Sequence, residues 1–199
     1  MAKIYEQGAT DLIVGTITSN SFGETSTKIA GLVEITMDVQ EQTAKVSADD
    51  DPGYLKLRGP AMGTGELKLT GVPIDDYALL TSAIIGSTNS VVAFGEQRAE
   101  KESGLSFKKK YYEDEVESVN LVMVHKVVFG MPKEGSKSVD ENGTEITECV
   151  VPFEIYPAVY TDDGATKRRT ITKLNRIASA TLYETLKDKC FMPADAVLE

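Results

Sequence analysis

The chain contains no tryptophan, a single histidine and only two cysteines among its 199 residues. Two cysteines, Cys149 and Cys190, are too few for a disulfide framework or a thiolate metal cluster. One histidine leaves a Ser-His-Asp triad a single possible base. That residue, His125, lies inside an apolar run, where a packed side chain is expected. Carboxylates are numerous enough to supply a glycosidase pair, but the aromatic platform that sugar-cleaving clefts commonly use has no tryptophan to build it. No apolar run approaches the roughly 18 residues of a membrane helix. Met1–Gln7 has no apolar core of signal-peptide length, so Sec-type export is not expected.

Basic residues are in deficit, 21 against 31 acids, for a net charge of −10. Firm DNA binding depends on clustered Lys and Arg that release counterions, which this balance disfavours. What remains is 41% hydrophobic and 26% charged, the composition of a globular chain.

Alternation dominates that composition. In Leu32–Gln40, Val33, Ile35, Met37 and Val39 share one face, with Glu34, Thr36, Asp38 and Gln40 on the other. A period of two marks a half-buried strand. Thr43–Ala48 and Glu66–Thr70 repeat the pattern. Ser90–Gly95 and Leu105–Tyr112 are further candidates, and Val119–Met131 is rich in β-branched residues. Glu148–Pro157 alternates with Cys149, Val151, Phe153 and Ile155 inward, and Pro152 predicts an edge strand or a bulge. Asn142-Gly143 and Asp162-Asp163-Gly164 are hairpin turn signals, implying a meander from Val119 to Thr172.

One segment reads differently. Pro73, then Asp75 and Asp76, then apolar residues at helical spacing up to Ile85 predict a short helix over about 73–85, stopped by Gly86. Leu174, Ile177, Ala178, Leu182 and Leu186 suggest a C-terminal helix or arm within about 173–199. Between short strands, residues 49–65 hold Gly53, Gly59-Pro60, Gly63 and Gly65 and read as a long loop. The whole reads as one domain, mainly β, with projecting loops.

No motif supplies chemistry. Asp49, Asp50 and Asp51 are adjacent, whereas a calcium loop needs spaced ligands and a closing carboxylate. Gly63-Thr64-Gly65 lacks the Gly-Lys-Ser/Thr ending of a phosphate loop, and Gly104-Leu105-Ser106-Phe107 is not a nucleophile elbow. No catalytic, cofactor-binding or metal-ligating residue is assigned, and no enzyme is expected. Lys108-Lys109-Lys110 alternates across a strand end and precedes acids, so Lys108 and Lys110 suggest salt pairing with another subunit. Lys167, Arg168 and Arg169 receive the same reading.

The order of these elements carries a resemblance. Lys28–Ile35, Val46–Asp51, Gly65–Pro73, the helix ending at Ile84-Ile85-Gly86, Val92–Gly95, Gly104–Tyr111 and Val119–Phe129 follow in sequence. Over roughly Leu12 to Tyr160 the chain resembles the major tail tube protein of siphophages, the long-tailed bacteriophages. It departs from that pattern in the acidic Glu113–Glu117 and in the longer ending after Ala165.

The resemblance implies a β-sandwich or barrel with a flanking helix and no cofactor. Six copies would close a ring, and rings would stack into a tube through which the genome leaves without specific DNA binding. It implies self-association, tape-measure, tail-terminator and tail-tip or baseplate partners, no membrane, and assembly in the host cytoplasm into a virion tail. Under it, Glu34, Thr36, Asp38 and Gln40 are expected to face the lumen, and Asp49, Asp50, Asp51, Tyr54 and Leu55 to contact neighbouring subunits or rings. A secretion-system tube protein and a carbohydrate-binding or adhesive β-sandwich are the competing readings.

Overall fold

The computed structural model describes residues 4–18, 21–48, 51–73, 76, 79–80, 84–85, 92–93, 101–113, 116–134 and 148–196. The chain is mainly β. Its strands are β1 (Ile4–Thr18), β2 (Ser21–Ile29), β3 (Leu32–Ala48), β4 (Asp51–Leu69), β5 (Ile84–Ile85), β6 (Val92–Ala93), β7 (Glu102–Glu113) and β8 (Val116–Phe129). There follow β9 (Lys133–Glu134), β10 (Cys149–Tyr156), β11 (Ala158–Asp162), β12 (Ala165–Arg169) and β13 (Ile171–Asn175), then helix α1 (Ala180–Leu186) and a 3₁₀ turn at Pro193–Asp195.

Nine of the described strands form one sheet, ordered β2-β1-β7-β8-β10-β4-β3, with β13 paired to β8 and β9 to β10. The sheet curls without closing. Leu12 and Val14 of β1, Leu67 and Leu69 of β4, and Val151 and Phe153 of β10 meet in one core, joined by Ile35 and Met37 of β3. A second core lies on the sheet's other face, where Ile13, Leu121 and Met123 receive Tyr183, Leu186 and Phe191. The segment expected as a C-terminal helix or arm is therefore a packed cover over that face.

Strand β8 belongs to both cores, so Leu121 through His125 are all buried and no alternation shows in its sequence. Its parity changes once. Ser103 pairs with Val127 but Leu105 with Val124, leaving one extra residue in β8 around His125. His125 Nε2 lies 2.6 Å from the Thr172 hydroxyl, the packed histidine expected from the sequence. Opposite the second core, Gly15 and Gly104 pair across β1 and β7. Added Cβ atoms there would stand 2.9 Å from Cys190 Cβ and 2.7 Å from Met123 Cε, so the missing side chains are what admit Phe22 and Cys190.

Several expectations are corrected. Residues 51–65 are not a loop but the outer part of β4, which pairs with β3 as far as Ala48↔Asp51. The glycines that suggested a loop serve close approach. A Cβ on Gly63 would stand 2.8 Å from Val39 Cα, and one on Gly65 2.7 Å from Phe153 Cε2. Gly59-Pro60 occupies a bulge between Glu41↔Ala61 and Thr43↔Arg58. A register shift after Leu32 turns Leu32 inward and leaves Val33 exposed, the reverse of the simple alternation.

Pro152 sits in an interior strand, paired with Glu66. Its carbonyl accepts from Gly130 N–H at 2.8 Å, where β8 has already ended, so its missing donor breaks no ladder bond on that side. The meander is also interrupted. β11 and β12 form a separate hairpin, and β13 returns to β8. The Asp163-Gly164 turn has positive φ at both positions, 49° and 73°, as the sequence signal required. Ile84–Ile85, placed in the first helix from sequence, pairs as a strand with Val92–Ala93, in keeping with the strand preference of β-branched residues. Asp76, Leu79 and Leu80 are helical; the rest of that helix and the Asn142-Gly143 turn lie outside the described residues.

Candidate assembly surfaces

β10 pairs with β4 only between Leu69 and Gly63. Beyond Gly63, β3 and β4 pair with no other described strand and run on as a two-stranded ribbon from Gln40 and Met62 to Ala48 and Asp51, tied near its base where the Thr170 hydroxyl donates to the Ala61 carbonyl at 2.6 Å. At about 3.3 Å per residue the eight steps from Gln40 to Ala48 span roughly 26 Å. Along this ribbon Gln40–Lys45 and Lys56–Gly59 are exposed on both faces. An isolated hairpin is marginally stable at best, so such a ribbon calls for a partner.

The sheet also ends in two edges. Neither the outer side of β2 nor that of β3 is paired with another described strand. Both strands are long, nine and 17 residues. Unpaired backbone on this scale is a template for joining another chain.

A polar face runs across β3, β4 and β10. Glu34, Thr36, Asp38 and Gln40 are all exposed on β3, as the alternation predicted. Thr64 lies between Asp38 on one neighbour and Glu154 on the other, and Glu66 between Thr36 and Pro152. Lys68 bonds Glu34, which raises the lysine's pKa, and Lys133 reaches Glu66 at 3.3 Å. Asp38 and Glu154 instead take neutral donors, Gln40 and Tyr156. These strands line a groove of about 690 Å³. Sequence reading found the β3 row but missed Glu66 and Glu154, because their place beside it depends on strand order.

The other sequence-selected residues divide. Lys108 is turned to its own chain, 3.0 Å from Asp11 and 3.3 Å from Asp188. Hydrogen bonds from Lys28 and then Lys108 hold the Asp11 carboxyl below its ordinary range. Lys110 pairs with Glu117 at 3.3 Å and Lys167 with Asp162 at 2.7 Å. Arg169 donates to the carbonyls of Pro193 and Ala196, each at 3.0 Å, and lies over the Tyr160 ring. Arg168 is exposed on the β11–β12 hairpin. Asp51, Tyr54 and Leu55 belong to the outer part of β4; Asp49 and Asp50 lie outside the described residues. The Lys108 and Arg169 networks were not legible in sequence, since the partners of Lys108 lie 80 or more residues away and the carbonyls that Arg169 reaches lie 24 and 27 away.

Among solved structures, the backbone is similar to a chain of an extracellular contractile injection system. That structure is the PVC sheath-tube complex in the extended state, at 12% identity and a TM-score of 0.40, over 82% of this chain and 88% of that one. A chain of the anti-feeding prophage tube-terminating cap matches at 12% identity and 0.37, over 82% and 87%. One from the PVC sheath/tube terminator matches at 11% and 0.37, over 85% and 97%. No protein-family model and no curated protein matches the sequence.

Among the described residues no cluster of His, Cys, Asp and Glu is arranged to hold a metal, and no helix is long and apolar enough to cross a membrane. Cys190 is buried, and burial pushes its thiol up to about 12.

Proposed function

We propose that this chain is a structural subunit that assembles with copies of itself into rings stacked as a tube. The observation that carries the reading is the combination of two long sheet edges, unpaired among the described strands, with a ribbon whose outer part pairs with no other described strand. Joining β2 of one copy to β3 of the next would pair both edges and extend the sheet around a ring. The face bearing Glu34, Thr36, Asp38 and Gln40, continued by Glu66 and Glu154, then lines the lumen. Its carboxylates outnumber its lysines, which disfavours adhesion of a polyanion passing through. Screening confines that field to roughly 8–10 Å, so it acts at the wall. In this reading the rings have six members and the tube is the tail of a siphophage, assembled in the host cytoplasm and conducting its genome. Its partners are tape-measure, tail-terminator and tail-tip proteins.

Negative-stain electron microscopy of the purified chain across concentrations, with light-scattering mass, tests the reading. Rings or hollow tubes of uniform width are expected, with tail-initiator components added if the chain alone remains monomeric. Replacing residues 43–58 with an Asn-Gly turn should leave a folded chain that forms no tubes. Persistent monomer from the unaltered chain with initiator present would overturn the proposal.

A further inference from the structure

Only Ala30 and Gly31, the latter with φ of 82°, separate the end of β2 from the start of β3, so the two are consecutive parts of one run of chain. The first part pairs with β1 and the second with β4. Strand β1 is longer than its ladder with β2. Residues 12–18 pair with β2, whereas residues 4–10 pair, among the described strands, with β7 alone. The free side of β1 and the free side of β3 border one groove of about 590 Å³, with Gly8 and Ala9 on one rim and residues 33–37 on the other. No ladder joins the two rims among the described strands, although Cα atoms of β1 and β3 come within 8 Å.

The rims part where β1 turns away. Gly8 has φ of 55° and Asp11 φ of 53°, each at a register shift in the ladder with β7. That conformation is costly for a residue with a side chain, and Lys28 and Lys108 both bond the Asp11 carboxylate in it.

We infer that the groove is a seam the unassembled chain can close, β3 zipping onto the N-terminal half of β1 and hiding the edge that a neighbouring copy would use. The inference rests on the tube reading and gives it a regulator, one edge with two competing partners. Closing would pair backbone that both rims leave unpaired. It would also cover Val33, 47% exposed, and the half-buried Ile35 and Met37, above a floor of Phe107 and Val122. At about 30 Å³ each, roughly 20 waters would leave. The charged lining is of mixed sign, Glu34 with Lys109 and Lys173, so closing does not gather like charges, and Glu34 is already bonded to Lys68. A Cβ on Gly8 would have no atom within 4 Å, so nothing blocks that rim.

Cysteine locking tests it. Ala9→Cys is combined in turn with Val33→Cys, Glu34→Cys and Ile35→Cys, which allows for more than one register, and each chain is oxidised while dilute. The native Cys149 and Cys190 are buried and leave the introduced thiols to react. At least one of the three chains is expected to form an intramolecular disulfide, read by mass and mobility. The locked chain should need at least a tenfold higher concentration to assemble than the same chain after reduction. No disulfide in any of the three, or locked chains that assemble as readily as reduced ones, would overturn the inference and leave the tube reading standing. A disulfide in a chain whose unaltered parent never forms tubes, even with initiator, would sink the tube reading and leave only the closing. Neither disulfide nor tubes would sink both.

Discussion

The imidazole of His125 and the backbone of Phe191 tie β8 to the C-terminal segment. Nδ1 donates to the Phe191 carbonyl at 3.1 Å, and the two rings meet edge-on at 5.7 Å. A carbonyl only accepts, so Nδ1 holds the proton and Nε2 accepts from the Thr172 hydroxyl. Neutral imidazole satisfies both partners, whereas a second proton would leave Nε2 facing the hydroxyl as a donor.

Burial, and to a lesser extent Arg169, lower the His125 pKa to about 4, against the Phe191 hydrogen bond, which raises it. The unfolded chain binds the proton near pH 6.5, so between 6.5 and 4 it holds more protons than the folded one. Stability should fall across that window by up to about 3 kcal/mol from this group and be unaffected by it above pH 6.5. His125→Phe should cost about 1–3 kcal/mol at pH 7, because Phe191 and Thr172 lose a partner, but should show a shallower acid slope. Urea denaturation at pH 7 and pH 4.5 measures both. Equal slopes in the two proteins would refute the assignment.

Gly104→Ala should destabilise by about 1–3 kcal/mol, since its Cβ meets Phe22 and Met123. The cost should shrink when Phe22→Ala is also present. A double-mutant cycle on thermal or chemical denaturation reads that coupling directly; strictly additive changes would mean the ring does not occupy the glycine gap.

Lys108 and Asp188 share an ion pair but not an environment, their side chains being 15% and 71% exposed. Lys108→Met should cost about 1–2 kcal/mol because Asp11 keeps only Lys28, whereas Asp188→Asn should cost under about 0.5. Since Asp11 is held below its ordinary pKa, its contribution is present above about pH 4 and lost as pH falls through its folded-state value. Equal losses in the two variants would show that the exposed arm of the network matters as much as the sheltered one.

Arg169→Lys should loosen the end of the chain while leaving the sheet intact. Lysine lacks the planar fork that reaches the Pro193 and Ala196 carbonyls while lying over Tyr160. Hydrogen exchange at residues 191–196 should accelerate severalfold, with β8 amides unchanged. Unchanged exchange near Pro193 would rule out the clasp.

Strands with one wet face were legible because burial writes a period of two into them. The exposed row Glu34, Thr36, Asp38 and Gln40 was found this way, as was the inward set of Cys149, Val151, Phe153 and Ile155. Two features defeated that reading for physical reasons. Glycine and proline usually mark loops, yet in β4 they admit a neighbouring backbone, make room for Phe153 and occupy a bulge, so residues 51–65 of a 19-residue strand looked like a connection while only Glu66 onward read as strand. Near the C-terminus, helical spacing began too early. Asn175 Oδ1 accepts from Ile177 and Ala178 N–H and turns the chain, Ile177 stays 66% exposed, and α1 starts only at Ala180. The free edges were invisible to sequence because an edge is a property of strand order.

That β8 is a wall shared by two cores bears on how such a chain can diverge. A strand with one solvated face can tolerate a shifted frame at the cost of one set of contacts. Deleting or inserting a single residue in β8 would send the contents of each core into the other, so descendants should keep its length fixed. The β3–β4 ribbon has no such constraint. It can lengthen or shorten by facing pairs, and related chains should vary in reach there while their β8 strands superimpose.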